Sequence, residues 1–167
     1  MITGYKEYNP QIDGTAYVAD TADIIGRVQL SRDASVWPNA VLRGDVDRIA
    51  IGISANIQDG VLVHTNYDMP VIVGCEVTVG HGAILHGCCI HDRCLIGMGA
   101  ILLDGCLIGE LSIVAAGALV CEGQELLPGG VYMGVPAKRT RDITREEKKM
   151  IIMRAAEYVQ LAEEYRN

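Results

Sequence analysis

The chain has 167 residues, of which 50% are hydrophobic and 21% charged; this excludes a disordered chain and fits one domain with a sizeable core. Aromatics make up only 5%, with no Phe, so that core has to be built from Val, Ile, Leu, Ala and Cys. A net charge of −7 argues against nucleic acid or an anionic membrane as partner. No apolar run has the length of a membrane span, the opening MITGYKEYNPQIDG lacks a basic-then-apolar signal pattern, and a cytoplasmic setting is expected.

From Val18 onward a period of six governs the chain. First positions are Val18, Ile24, Leu30, Val36 and Leu42, with Ala22, Val28, Ala34, Ala40 and Val46 fifth. After a three-residue insertion the phase resumes at Ile51, Ile57 and Val63, and TNYDMPVI then interrupts it. Val73, Val79 and Leu85 follow, with Val77, Ala83 and Cys89 fifth. A slip is placed between His91 and Leu95, and the last run goes from Ile96 to Leu126, with Ala100, Cys106, Ser112 and Ala118 fifth. Gly recurs second (Gly52, Gly74, Gly80, Gly97, Gly109), where a tight corner is expected to need positive φ. A period of six fits neither a helix nor a simple alternating strand. It fits a parallel β-helix, in which each hexad is one side of a prism and three hexads make one coil.

This domain is assigned to residues 1–138. Its six cysteines (Cys75, Cys88, Cys89, Cys94, Cys106, Cys121) form no CxxC pair or regular framework and are expected to be reduced, three of them inward as small apolar fillers. YMGVPAK (132–138) links the prism to a helix over 144–166. Thr144 and Glu147 fit a capping box, and Ile151, Ala155, Tyr158, Ala162 and Tyr165 recur at helical spacing, which predicts an amphipathic helix packed on the prism.

Three histidines fall on the repeat in a way that suggests chemistry. His64 and His86 are second in hexads that lie one coil apart, so they stack at about 4.8 Å, a spacing that suits two ligands of one metal. His81 is third in the hexad before His86, roughly 16 Å of extended chain away, and belongs to another corner. Zinc needs its nitrogens at about 2.0–2.1 Å, which one chain cannot offer from all three. A threefold axis can, by setting the His81 corner of one chain against the His64/His86 corner of the next. The register thus predicts a homotrimer with a metal at each interface. Arg43 continues the His64/His86 column downward, and Asp59 lies one coil below His81, next to Gln58. Across the interface, Arg43 is expected to form a structural pair with Asp59, and Gln58 to serve the site. His91 matches no column and is expected at the surface.

VLRGD (41–45), ANIQDGVLVH (55–64) and VGHGAILHGC (79–88) resemble the signature of the γ-class carbonic anhydrase family; GVPAK (134–138) ends the prism there and in hexapeptide acyltransferases. The resemblance runs from about residue 10 to the C-terminal helix. It implies an all-β fold, a left-handed parallel β-helix with a C-terminal α-helix, an exception to right-handed crossovers. It also implies a homotrimer and Zn2+, with Fe2+ or Co2+ as alternatives, on His64, His81 and His86. Arg43, Asp45, Asn56, Gln58 and Asp59 stand around that site, with Tyr132 near it. The implied reaction is hydration of CO2 to bicarbonate by metal-bound hydroxide. Two departures bear on rate. Val46 stands where members carry a glutamate after the aspartate, and the short TNYDMPVI replaces a long loop with a proton-shuttling glutamate. Slow or buffer-dependent turnover is expected, with a surface residue such as Asp68 as proton exit. The alternatives are an acyltransferase using acyl-CoA, which needs a single His as general base, a thioester hydrolase, and a metal-free trimeric scaffold.

Overall fold

A computed structural model describes residues 1–166. The chain winds into a left-handed parallel β-helix of about seven coils, closed by one C-terminal helix. Its strands are mostly two or three residues long and fall on three faces. The first face holds the start of Val41–Ile51, then Leu62–His64, Ile84–His86, Ile101–Leu102 and Leu119–Val120. The second holds the end of Val41–Ile51, then Val71–Val73, Cys89–Ile90, Leu107–Ile108 and Glu125–Leu126. The third runs from Tyr17–Val18 through Ser35–Val36, Asn56–Ile57, Thr78–Val79, Leu95–Ile96 and Ile113–Val114 to Gly130–Met133. Asp23–Leu30 and Val41–Ile51 pass round the corner between the first and second faces and join them into one sheet. Lys138–Asp142 pairs antiparallel with Gly130–Met133 and ends the ladder.

Parallel stacking brings the same hexad position together in every coil, so first positions form continuous aliphatic ladders. Leu42, Val63, Leu85, Leu102 and Val120 line one face, and Val36, Ile57, Val79, Ile96 and Val114 another; all are at most 1% exposed. Small fifth residues (Ala34, Ala55, Ala83, Ala100, Ala118) fill the space between them. Three expectations need correction. Val28 pairs with Ile49, and Ile49, not Val46, is the fully buried side chain after the insertion. The slip falls earlier than His91: Leu85 to Ile90 is a five-residue step, so Cys88, not Cys89, points inward with Cys94 and Cys106. His91 therefore does have a column: as second residue of the hexad begun by Ile90, it stacks with Gly74 and Gly109.

The corners obey a rule that differs from the one expected. The fifth-position N–H donates to the second-position carbonyl, as in Ala55 to Gly52 and Ala83 to Gly80. That closes a type II turn, which puts positive φ at its third residue, the fourth of the hexad. Gly82 and Gly99 sit there, but so do Asp33, Asn39, Ser54, Glu76, Arg93 and Leu111, at φ 54–60°. The second-position glycines serve close approach instead: a Cβ on Gly97 would come 2.4 Å from the Ala116 nitrogen one coil above.

Arg145–Arg166 is the helix. Glu147 N–H donates to Thr144 Oγ1 at 3.1 Å and Thr144 N–H to Glu147 Oε2 at 2.9 Å, the reciprocal bonds of a capping box. Ile151, Ala155 and Ala162 are its buried residues, and it lies over the third face. Trp37 packs edge-on against Tyr158 and Tyr165 at 5.4 and 5.3 Å between ring centroids.

Candidate metal centre

Arg43, His64 and His86 are paired in register on consecutive strands of the first face, at its corner with the second. The two imidazole centroids are 5.1 Å apart. His64 Nδ1 and His86 Nε2 face each other at 3.0 Å. Each ring's other nitrogen meets a carboxylate: His64 Nε2 lies 3.1 Å from Asp45 Oδ1, and His86 Nδ1 2.5 Å from Asp104 Oδ1. Asp45 also accepts from Arg43 Nη1 at 2.5 Å, and Asp104 from Asn66 Nδ2 at 3.0 Å.

A carboxylate beside one ring nitrogen keeps the proton there and leaves the lone pair on the other. The two facing nitrogens are thus both set to be acceptors, with no proton to share between them. Ligands bonded at 2.0–2.1 Å to one tetrahedral ion lie roughly 3.3 Å apart, close to the separation seen. The donor set fits a divalent cation. Burial, and then the Arg43 charge, lower the His64 pKa against the pull of Asp45, which favours the neutral, ligating form. Burial alone would raise Asp45, but its bonds to Arg43 and His64 hold it below the usual carboxylate range. Asp104 behaves likewise, with burial overcome by Asn66 and His86.

His81 stands at the opposite edge of the first face, at the corner with the third. Pairing of Val79 with Ile57 sets Asp59 one coil below it, and His81 Nδ1 lies 2.8 Å from Asp59 Oδ2. The ring is about half exposed, and its Nε2 has no hydrogen-bond partner among the described residues. Among the described residues of a single chain, no three His, Cys, Asp or Glu side chains converge on one point. Gln58 and Asn56 are buried beside this corner: Gln58 Nε2 donates to Asn56 Oδ1 at 3.1 Å, and Asn56 Nδ2 to Thr78 Oγ1 at 3.0 Å. Gln58 and His81 open on a cavity of about 320 Å³ that Met98, Arg154 and Tyr158 also line.

Tyr132 is not brought to the histidines. It occupies a first position three coils above Val79, roughly 14 Å along the prism. There its hydroxyl donates to the Leu127 carbonyl at 2.7 Å and accepts from Arg139 at 3.0 Å. Its side chain closes the end of the core because the inward position leaves no other direction. Asp104, Asn66, Arg154 and Tyr158 are the site residues the repeat reading missed. Asp104 had a signal: it stands one coil above Gly87, and only a glycine leaves room for its carboxylate, since a Cβ there would lie 2.3 Å from Asp104 Oδ1. Arg154 and Tyr158 had none, because the docking of the helix is a tertiary matter. The six thiols form no disulfide. Burial pushes Cys94 up to about 12, and the hydrogen bond that the Cys88 thiol makes to Cys106, together with burial, pushes Cys88 up, so these two thiols are poor nucleophiles.

No protein-family model matches the chain. It is 39% identical to a protein of Geobacillus kaustophilus named carbonic anhydrase, over 99% of this chain and 91% of that one. It is 43% identical to mitochondrial gamma carbonic anhydrase 2 of Arabidopsis thaliana, over 93% of this chain but 58% of the longer plant protein. A solved structure of a hexapeptide transferase family protein from Anaplasma phagocytophilum superposes with a TM-score of 0.95 at 39% identity, covering 98% of this chain and 97% of that one. With the ladder geometry, these likenesses establish that the chain belongs to the γ-class carbonic anhydrase family of hexapeptide-repeat proteins.

Proposed function

We propose that this protein is a carbonic anhydrase-like lyase that hydrates CO2 to bicarbonate as a homotrimer. His64 and His86 of one subunit and His81 of the next hold a divalent metal, Zn2+ with Fe2+ or Co2+ as alternatives. The observation that carries this reading is the pair of facing nitrogens, His64 Nδ1 and His86 Nε2, each ring backed by its own aspartate. The trimer draws support from the outward column of the first face, which lies between the two histidine corners: Val41, Leu62, Ile84, Ile101 and Leu119 are all apolar, and Leu62 is 47% exposed. A bound cation supplies the Lewis acidity that brings the pKa of water from 15.7 to about 7. Asp45 and Asp104 hold protons on His64 Nε2 and His86 Nδ1 so that the facing nitrogens stay available. Gln58, its Nε2 engaged by Asn56, offers Oε1 to orient the attacking water. Hydration of CO2 releases one proton; Val46 cannot carry it, and exposed Asp68 or buffer has to. Arg43 pairs structurally with Asp59 across the interface. Prism and helix, 1–138 and 144–166, act as scaffold and cover, and six free thiols suit a reducing, cytoplasmic compartment.

The test is elemental analysis of freshly purified protein, then CO2 hydration assays of zinc- and iron-loaded samples at several buffer concentrations. Metal near one ion per chain with buffer-dependent turnover is the expected result; a fully metallated protein without activity overturns the reading. The name of the Anaplasma structure favours an acyltransferase as second reading. Metal-independent acetyl-CoA turnover would identify it, and metal-dependent thioester cleavage would mark a hydrolase.

A further inference from the structure

A second polar cavity lies near the start of the prism, and it has a structural cause. Asp23–Leu30 rounds the corner between the first and second faces with Arg27 alone between the paired residues Gly26 and Val28. The strand above inserts extra residues there, between Gly44 and Ile49. The segment below inserts the Tyr5–Tyr8 turn between Thr3 and Gln11, its own paired residues. Both neighbours bulge where Asp23–Leu30 does not, and a recess remains with Arg27 at its back.

Arg27 is clamped in place. Its Nη2 donates to the Val46 carbonyl at 2.5 Å, and its guanidinium carbon lies 4.4 Å from the Tyr8 ring centroid. Its Nε is buried with no hydrogen-bond partner, a costly state for a charged donor. The cavity in front of it measures about 320 Å³. Arg48 stands at its wall and pairs with no carboxylate among the described residues. Glu7 is the wall's one acid, and Asn9, Gln11 and Gln29 add three amides. Two guanidinium groups against one carboxylate leave a local charge of +1 on a chain of net charge −7.

We propose that this recess binds a monoanionic hydroxycarboxylate, its carboxylate held between Arg27 and Arg48 and its hydroxyls on the amides of Asn9, Gln11 and Gln29. Planar carboxylates match guanidinium donors, and the volume exceeds what a bare oxyanion fills. The site opens on the second face and does not depend on the metal centre.

Calorimetric titration of the full-length protein with gluconate, hexanoate and bicarbonate tests it, on the wild type and on Arg27→Gln and Arg48→Gln. Saturable gluconate binding, weakened about tenfold or more in either variant and tighter than that of hexanoate or bicarbonate, is expected. Metal content should be the same in Arg48→Gln as in the wild type, which separates this site from the lyase reading. No gluconate binding by the wild type, or equal binding by Arg48→Gln, overturns the proposal. Equal binding of hexanoate or bicarbonate overturns the hydroxycarboxylate class. Should Arg27→Gln not fold, Arg48→Gln decides alone, since its side chain holds nothing in the fold.

Discussion

Leu111 holds a φ of 55° at the fourth position of its hexad, a conformation that costs an L-residue about 1–2 kcal/mol. Leu111→Gly should therefore raise stability by about 1 kcal/mol, less whatever its partly buried side chain contributes; thermal melts measure the balance. At the proposed metal centre, His64→Ala and His81→Ala should each abolish metal binding, because either would leave two of the three proposed ligands. Asp104→Asn should retain binding at about 10–100-fold lower affinity, since the ligand stays while its orienting partner weakens; competition with a chelator measures both. The periodic residues of this centre were legible because strand pairing repeats them in register. Asp104 showed only indirectly, through the glycine one coil below it, because a carboxylate that folds down onto that coil depends on the empty space over Gly87. Val46 and Ile49 teach the same lesson: counting cannot tell which of two aliphatics an insertion turns inward.

The helix is the element whose start the residues announce most directly. Thr144 caps it, and Thr144→Ala should cost about 1 kcal/mol. Arg141 and the Thr144 backbone hold Glu147 at about 2, well below its ordinary 4.5. A depressed carboxylate stabilises fully above its unfolded value and loses that contribution as pH falls through the folded one. The helix should thus loosen between about pH 4.5 and 2, and Glu147→Gln should flatten that slope. The Arg141–Glu147 pair is open to solvent on one side, so the effect is modest and salt-sensitive. Trp37 fluorescence reports it, because Trp37 packs edge-on against Tyr158 and Tyr165 of the helix. That the helix covers the third face, and so brings Arg154 and Tyr158 beside His81, no periodicity told. Amphipathic spacing defines an apolar stripe but not the surface that receives it.

For the whole molecule, the first face is the one to disturb. Leu62→Glu puts a charge into its apolar outward column and should convert the proposed trimer to monomer, with metal lost at the same time. His81→Ala should lose metal and stay trimeric. Sedimentation with metal analysis distinguishes the two outcomes, and a monomeric wild type that still holds metal would remove the interface from the reading. By itself the sequence determined the coil, the ladders and the column of Arg43, His64 and His86, because parallel strands repeat at one fixed rise and any six-residue phase must stack in register. Tertiary structure alone decided the inward Ile49 and Cys88, the burial of Tyr132 at the end of the core, the docking of the helix and the recess at Arg27. Each of these is shaped by which neighbouring coil bulges and which leaves room, and that is a relation between segments distant in the chain.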